Sequence, residues 1–89
     1  MRTIRYSGQF KKDAKLMGKR GSEMKKLRAV IEKLVNEEEL EARTKDHPLQ
    51  GEYAGGRDCH IGPDWILIYA IVGDELRLIR TGTHSDLFK

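Results

Sequence analysis

A single cysteine, Cys59, cannot close an internal disulfide, and without a Cys-x-x-Cys pair there is no zinc knuckle. The longest apolar run, Trp65 to Val72, falls far short of the roughly 20 residues that span a bilayer. The opening Met-Arg-Thr-Ile-Arg-Tyr has no apolar stretch of the kind that directs secretion. Internal repeats and low-complexity tracts are absent too. These absences exclude the membrane-spanning, disulfide-rich secreted and multidomain classes, and the expected location is the cytoplasm. What is present is one domain of 89 residues, 38% hydrophobic and 35% charged. A chain of this length buries roughly two-thirds of its unfolded surface, enough for one core without staples.

Charge is uneven along the chain. Residues 1–35 carry a balance of +8, residues 36–46 of −3 and residues 47–89 of −2, within a net charge of +3. A basic half of this strength attracts polyanions or an acidic partner. The same charge would also suit a merely solvated helix face, so by itself it selects no function.

Hydropathy patterning gives the expected elements. Arg2 to Tyr6 alternates as a strand, with Ile4 and Tyr6 on one side. Ser7 can cap a helix in which Phe10, Ala14 and Met17 share one face and Lys11, Lys12, Lys15 and Lys19 surround the rest. Gly21 ends it, and Ser22 with Glu23 opens a second helix whose stripe is Met24, Leu27, Ile31 and Leu34. After the acidic connector Glu37-Glu38-Glu39, glycines and prolines punctuate extended pieces: Arg57 to Ile61, Trp65 to Val72, and Glu75 to Thr81 beyond a Gly73-Asp74 turn. The residues from Gly82 to Lys89 form a short tail with one helical turn from Ser85. The fold class is therefore α+β: an N-terminal strand, an α-helical hairpin and an antiparallel β-meander, with the helices on one sheet face and the other face open.

Alternation also sorts the polar residues. If Cys59 and Ile61 pack under the helices, Asp58 and His60 face solvent together on the opposite side. Gly62-Pro63 delivers Asp64 to the start of the Trp65 strand, Arg80 ends the last strand, and Gly82 lets the chain turn before His84. His47 lies in the loop before the sheet. The histidines sit thirteen and then twenty-four residues apart, which matches no compact metal-ligand spacing, so no metal and no cofactor is expected. Each of these residues has an ordinary structural use: a solvated strand histidine, a turn aspartate, an arginine paired with an acid, a buried Cys59, a core Trp65. Together on one face of a basic domain, they fit metal-free phosphodiester cleavage. Histidine titrates near neutrality and can take or give a proton, and arginine holds phosphate oxygens at two points.

Four ordered motifs carry a resemblance. Lys45-Asp46-His47-Pro48-Leu49-Gln50-Gly51, then Arg57-Asp58-Cys59-His60, then Pro63-Asp64-Trp65-Ile66-Leu67-Ile68-Tyr69, and the tail Arg80-Thr81-Gly82-Thr83-His84-Ser85-Asp86-Leu87-Phe88 together resemble the YafQ branch of the RelE-like toxins. Tyr6 to Asp13 looks like the start of that branch, so the likeness covers nearly the whole chain. The resemblance implies a microbial-RNase-like toxin of a bacterial toxin–antitoxin pair, an endoribonuclease that cuts mRNA in the ribosomal A site through 2′-OH attack. It implies catalytic roles for His47, Asp58, His60, Asp64, Arg80 and His84, and substrate contacts from Trp65 and Phe88. Lys11, Lys12, Lys15 and Lys19 are the expected contacts with ribosomal RNA. It also implies an antitoxin partner with a ribbon-helix-helix part, through which alone the toxin meets operator DNA. Two alternatives stay open: a non-catalytic, gyrase-poisoning toxin of the same superfamily, and a plain RNA-binding module. The first has no need of three histidines on the open face, and the second would keep its RNA affinity after loss of His84.

Overall fold

The computed structural model describes residues 1–88; the last residue of the expected tail, Lys89, lies outside them. The chain runs β1 (Thr3–Tyr6), α1 (Gly8–Lys19), α2 (Met24–Val35), β2 (His47–Pro48), β3 (Arg57–Gly62), β4 (Trp65–Val72), β5 (Glu75–Gly82) and α3 (His84–Leu87), with single 3-10 turns at Ala42–Thr44 and Gly51–Tyr53. Ser7 caps α1 as expected, its Oγ accepting from the Phe10 amide at 2.9 Å. Gly21, at φ +86°, ends that helix. The start of α2 differs from expectation: its N-cap is Glu23, without a side-chain cap bond, because the Ser22 amide closes onto the Met17 carbonyl and leaves Ser22 in the joint.

The five strands form one sheet in the order β1-β5-β4-β3-β2. The meander β3-β4-β5 is antiparallel, and β1 docks parallel to β5 with Tyr6 opposite Leu78. Helices α1 and α2 cover one face over Phe10, Met17, Leu27, Leu34, Cys59, Leu67, Leu76 and Leu78. The expectation of an open second face needs correction. Ile66, Ile68 and Leu87 form a second buried cluster there, packed by Leu49, Tyr53 and Ile79. The segment before β3 and the C-terminal helix supply that cover, since Ile66 and Ile68 are too apolar to be left in water.

Two irregularities matter for the site. A register shift between Ile68 and Tyr69 leaves Ile79 as the extra residue of β5, so Arg80 registers with Ile68 on the second face. A second shift, between His60 and Gly62, closes the β3-β4 turn. Leu67 is fully buried at the centre of the sheet, whereas Ile71 is 39% exposed farther along the same strand. Leu67→Ala is expected to cost about 2–5 kcal/mol of unfolding free energy, and Ile71→Ala far less; urea titrations of both variants measure the difference.

Candidate active site

The second face gathers the residues that sequence alternation had grouped, though not in the way a solvated face would. Asp58, on β3, is 4% exposed and registers opposite His47 on β2. Its solvent exposure is thus corrected: the strand direction is right, but β2 and the covered face bury the carboxylate. His47 Nδ1 lies 2.7 Å from the Lys45 carbonyl and 3.0 Å from Asp58 Oδ1. The Lys45 carbonyl can only accept, so Nδ1 carries the proton in that bond and Nε2 is the ring nitrogen left uncommitted. Burial pushes the Asp58 carboxyl above the ordinary carboxylate range, while His47, His60 and His84, when charged, pull it back. One buried carboxylate therefore feels all three imidazoles.

The segment that presents His47 is fixed from behind. Asp46 accepts from the Tyr69 hydroxyl at 2.6 Å and from Arg57 Nε at 3.2 Å, tying the chain just before His47 to β3 and β4.

His84 is the first residue of α3, one position earlier than the expected helical turn. A single turn has little stability of its own, and here several bonds pin it. Thr83 and Asp86 form a reciprocal capping box. Asp86 also takes a 2.7 Å bond from Arg20, which holds its carboxyl well below the usual range. Leu87 anchors the turn in the second cluster. Asp64 Oδ1 then receives both the His84 amide, at 3.2 Å, and His84 Nδ1, at 3.0 Å. These bonds hold the Asp64 carboxyl below its ordinary value. The His60 ring stands edge-on to His84 at 5.7 Å between centroids, and the Phe88 ring lies 6.3 Å from that of His84.

Arg80 is held by a residue that the sequence reading did not select. Asp13 of α1 accepts from Arg80 Nε at 2.9 Å and Nη2 at 3.0 Å, a two-point bond. Arg80 Nη1 lies 3.5 Å from the Tyr53 hydroxyl, and the Tyr53 ring meets Phe88 edge-on at 6.0 Å. Burial works against the Asp13 charge, but the bonds from Arg80, Gln9 and the Thr81 amide outweigh it and hold the carboxyl below its ordinary range. In the sequence Asp13 shows as an acid inside the apolar stripe between Phe10 and Met17, and that misfit is the available signal. Tyr53 has no such signal.

His47, Asp58, His60, Asp64, Arg80, His84 and Phe88 are thus all placed on or around the second face, and Tyr53 joins them. Trp65 is not among them. It is 6% exposed in the helix-side core and its indole N–H is spent on Thr81 Oγ1 at 2.8 Å, so its expected substrate contact is corrected to a core role. Cys59 is fully buried, with burial pushing its thiol up to about 12. Lys11, Lys12, Lys15 and Lys19 are exposed along α1 and pair with no acid among the described residues. Also among the described residues, no three His, Cys, Asp or Glu side chains converge to hold a metal ion, and no helix is long and apolar enough to cross a membrane.

Residues 2–89 match the family described as the bacterial toxin of type II toxin–antitoxin system, YafQ. The chain is 52% identical over 88 residues to the mRNA interferase toxin YafQ of Escherichia coli K12, covering 98% of this chain and 96% of that protein. It superimposes on YafQ in the E. coli DinJ–YafQ complex with a TM-score of 0.93 at 51% identity, covering all of both chains. A metal-bound toxin from Helicobacter pylori aligns with a TM-score of 0.91 at 42% identity, over 99% of this chain and 100% of that one.

The burial of Asp58 has a measurable consequence. A carboxyl whose folded pKa is raised favours the folded state at acid pH, and that contribution is lost as pH rises through the folded value. Asp58→Asn is expected to melt higher than the parent at neutral pH, with the gap closing as pH falls through the carboxylate range. Melting curves across that range measure it; a variant less stable than the parent at neutral pH would contradict the assigned cost of burial.

Proposed function

The chain belongs to the YafQ family of bacterial type II toxin–antitoxin toxins, and we propose that it is itself an mRNA interferase, an endoribonuclease that cuts mRNA on the ribosome. The observation that carries this reading is the gathering of three histidines, His47 against the buried Asp58, His84 against Asp64 and His60 edge-on to His84, with Arg80 on the same face. The 52% identity to the E. coli mRNA interferase supports it.

In the proposed reaction the neutral His47 ring, its Nδ1–H committed to the Lys45 carbonyl, accepts the ribose 2′-OH proton on Nε2. The 2′-oxygen attacks the adjacent phosphorus. Charge that builds on the non-bridging oxygens meets Arg80. His84, whose Nδ1–H bonds to Asp64, holds a proton on Nε2 when charged and donates it to the leaving 5′-oxygen. Asp64 thereby orients His84 and steadies its charged form, a role that uses its lone pairs and leaves the base to His47. His60 lines the same cationic rim, and Phe88 with Tyr53 offers aromatic surface to an unstacked base, worth about 1–3 kcal/mol.

The partners follow from the same surfaces. The free lysines of α1 engage ribosomal RNA through phosphate contacts, and mRNA enters over the second face. A cognate antitoxin neutralises the toxin, as the DinJ–YafQ complexes of E. coli support, and its ribbon-helix-helix part carries the pair to operator DNA. The site of action is the cytoplasm, where ribosomes translate.

A purified translation system, run with and without ribosomes, tests the activity: mRNA cleavage is expected only when ribosomes are present. His84→Ala should lose about 10²–10⁴-fold in single-turnover cleavage, and His84→Gln nearly as much, with melting temperature and ribosome binding almost unchanged. Cleavage within a few-fold of the parent would remove His84 as the acid. Replacing Lys11, Lys12, Lys15 and Lys19 by Glu is expected to weaken ribosome pelleting and leave the fold intact; unchanged pelleting at moderate salt would contradict the α1 contact.

A further inference from the structure

We infer that Asp13 is a positioning residue for RNA cleavage: its buried carboxylate clamps Nε and Nη2 of Arg80 so that Nη1, beside the Tyr53 hydroxyl, is the donor left to meet the scissile phosphate. The inference rests on the phosphate-binding role of Arg80 proposed above. It begins from the edge of the sheet. Strand β1 stops pairing at Tyr6 opposite Leu78, and the chain turns into α1 through Ser7, whose Oγ donates to the Ile79 carbonyl at 2.8 Å. Beyond that point no strand among the described residues pairs with the outer side of β5. Asp13 takes the place of one, accepting the Thr81 amide on Oδ2 at 3.3 Å.

The carboxylate is 7% exposed and also receives Gln9 Nε2 at 2.9 Å. With the two bonds from Arg80, its acceptor capacity is filled from α1 and β5 together, and it has nowhere else to go. An arginine side chain ordinarily samples many rotamers, and holding it costs entropy that must be met before the reaction. Here Asp13 meets that cost in the free protein. The guanidinium plane is fixed, and Nη1 donates one N–H to the Tyr53 hydroxyl while keeping a second for a ligand; the Tyr53 ring leads through Phe88 to His84. The cation thus looks toward the proposed acid across one aromatic surface.

The charge arithmetic separates orientation from attraction. A buried acid against Arg80 cancels much of its field, which weakens ground-state attraction for a polyanion. A site selected only for RNA affinity would leave that arginine unpaired. Pairing it makes sense where geometry in the transition state matters more than affinity for the ground state.

Asp13→Asn, close in shape and still able to accept the Thr81 amide, is expected to lower kcat for ribosomal mRNA cleavage about 10–100-fold, while KM stays level or falls. Gln9→Ala, which removes one bond and no buried charge, should give a smaller loss in kcat alone and serves if Asp13→Asn folds poorly. In the Arg80→Ala background, Asp13→Asn should cause almost no further loss. If Arg80→Ala itself cleaves like the parent, the reading of Arg80 falls and this inference with it. If Arg80→Ala is impaired but Asp13→Asn lowers activity equally in both backgrounds, or Asp13→Asn and Gln9→Ala both keep parental kcat, Asp13 only supports the fold and the inference is overturned.

Discussion

Strand β4 is buried on both faces from Trp65 to Tyr69, and that constraint organises the molecule. Trp65, Leu67 and Tyr69 require cover from one side, which α1 and α2 provide; Ile66 and Ile68 require it from the other. Two short elements cannot reach that second face without bringing their neighbours. Covering Ile66 and Ile68 with Leu49, Tyr53 and Leu87 carries the His47 segment to one end of the face and the His84 turn with Phe88 to the other. Hydrophobic burial thus assembles a polar site from segments far apart in the chain.

Aspartates then stand against His47, His84, Arg80 and Arg20. Asp58 faces His47, Asp64 holds His84, Asp13 forks Arg80, and Asp86 ties Arg20 to the same turn that carries His84. Behind His47, Asp46 takes Tyr69 and Arg57 together. Aspartate suits this work because its short side chain leaves little freedom once one oxygen is bonded. His47 and His84 are each oriented by a bond at Nδ1, to the Lys45 carbonyl and to Asp64 respectively, which leaves Nε2 uncommitted in both. Asp58 sits in this group at a cost, since burial disfavours its charge.

Much of this is legible in the residues. The stripe Phe10, Ala14, Met17 and the alternation of Arg57 to Ile61 place the helices and the facing of Asp58 and His60, because periodicity reports which side meets a core. The run from Trp65 to Tyr69 does not alternate, and that is the mark of a strand buried on both faces. Reading it beside an alternating β3 suggests one open face, and the cover supplied by Leu49 and Leu87 depends on long-range packing that no local pattern shows. Trp65 illustrates the same limit: position beside a motif says nothing of which way its ring points, and the Thr81 hydroxyl decides it. Arg80 is found from its strand end, yet its partner Asp13 lies 67 residues away and is joined to it only by the fold.

In the proposed mechanism the ribose 2′-oxygen attacks the phosphorus, with His47 as base and His84 as acid. That bond change leaves its mark on the products: the upstream fragment ends in a 2′,3′-cyclic phosphate and the downstream fragment begins with a free 5′-hydroxyl. The direct measurement is end-group analysis of mRNA cut on ribosomes, by mass spectrometry of the upstream ends and by kinase labelling of the downstream ends without prior phosphatase. Cyclic phosphate with labelling-competent 5′-hydroxyls is the predicted result. A 3′-hydroxyl with a 5′-phosphate would show that water, not the 2′-oxygen, attacks the phosphorus, and would contradict the proton-transfer roles assigned to both histidines.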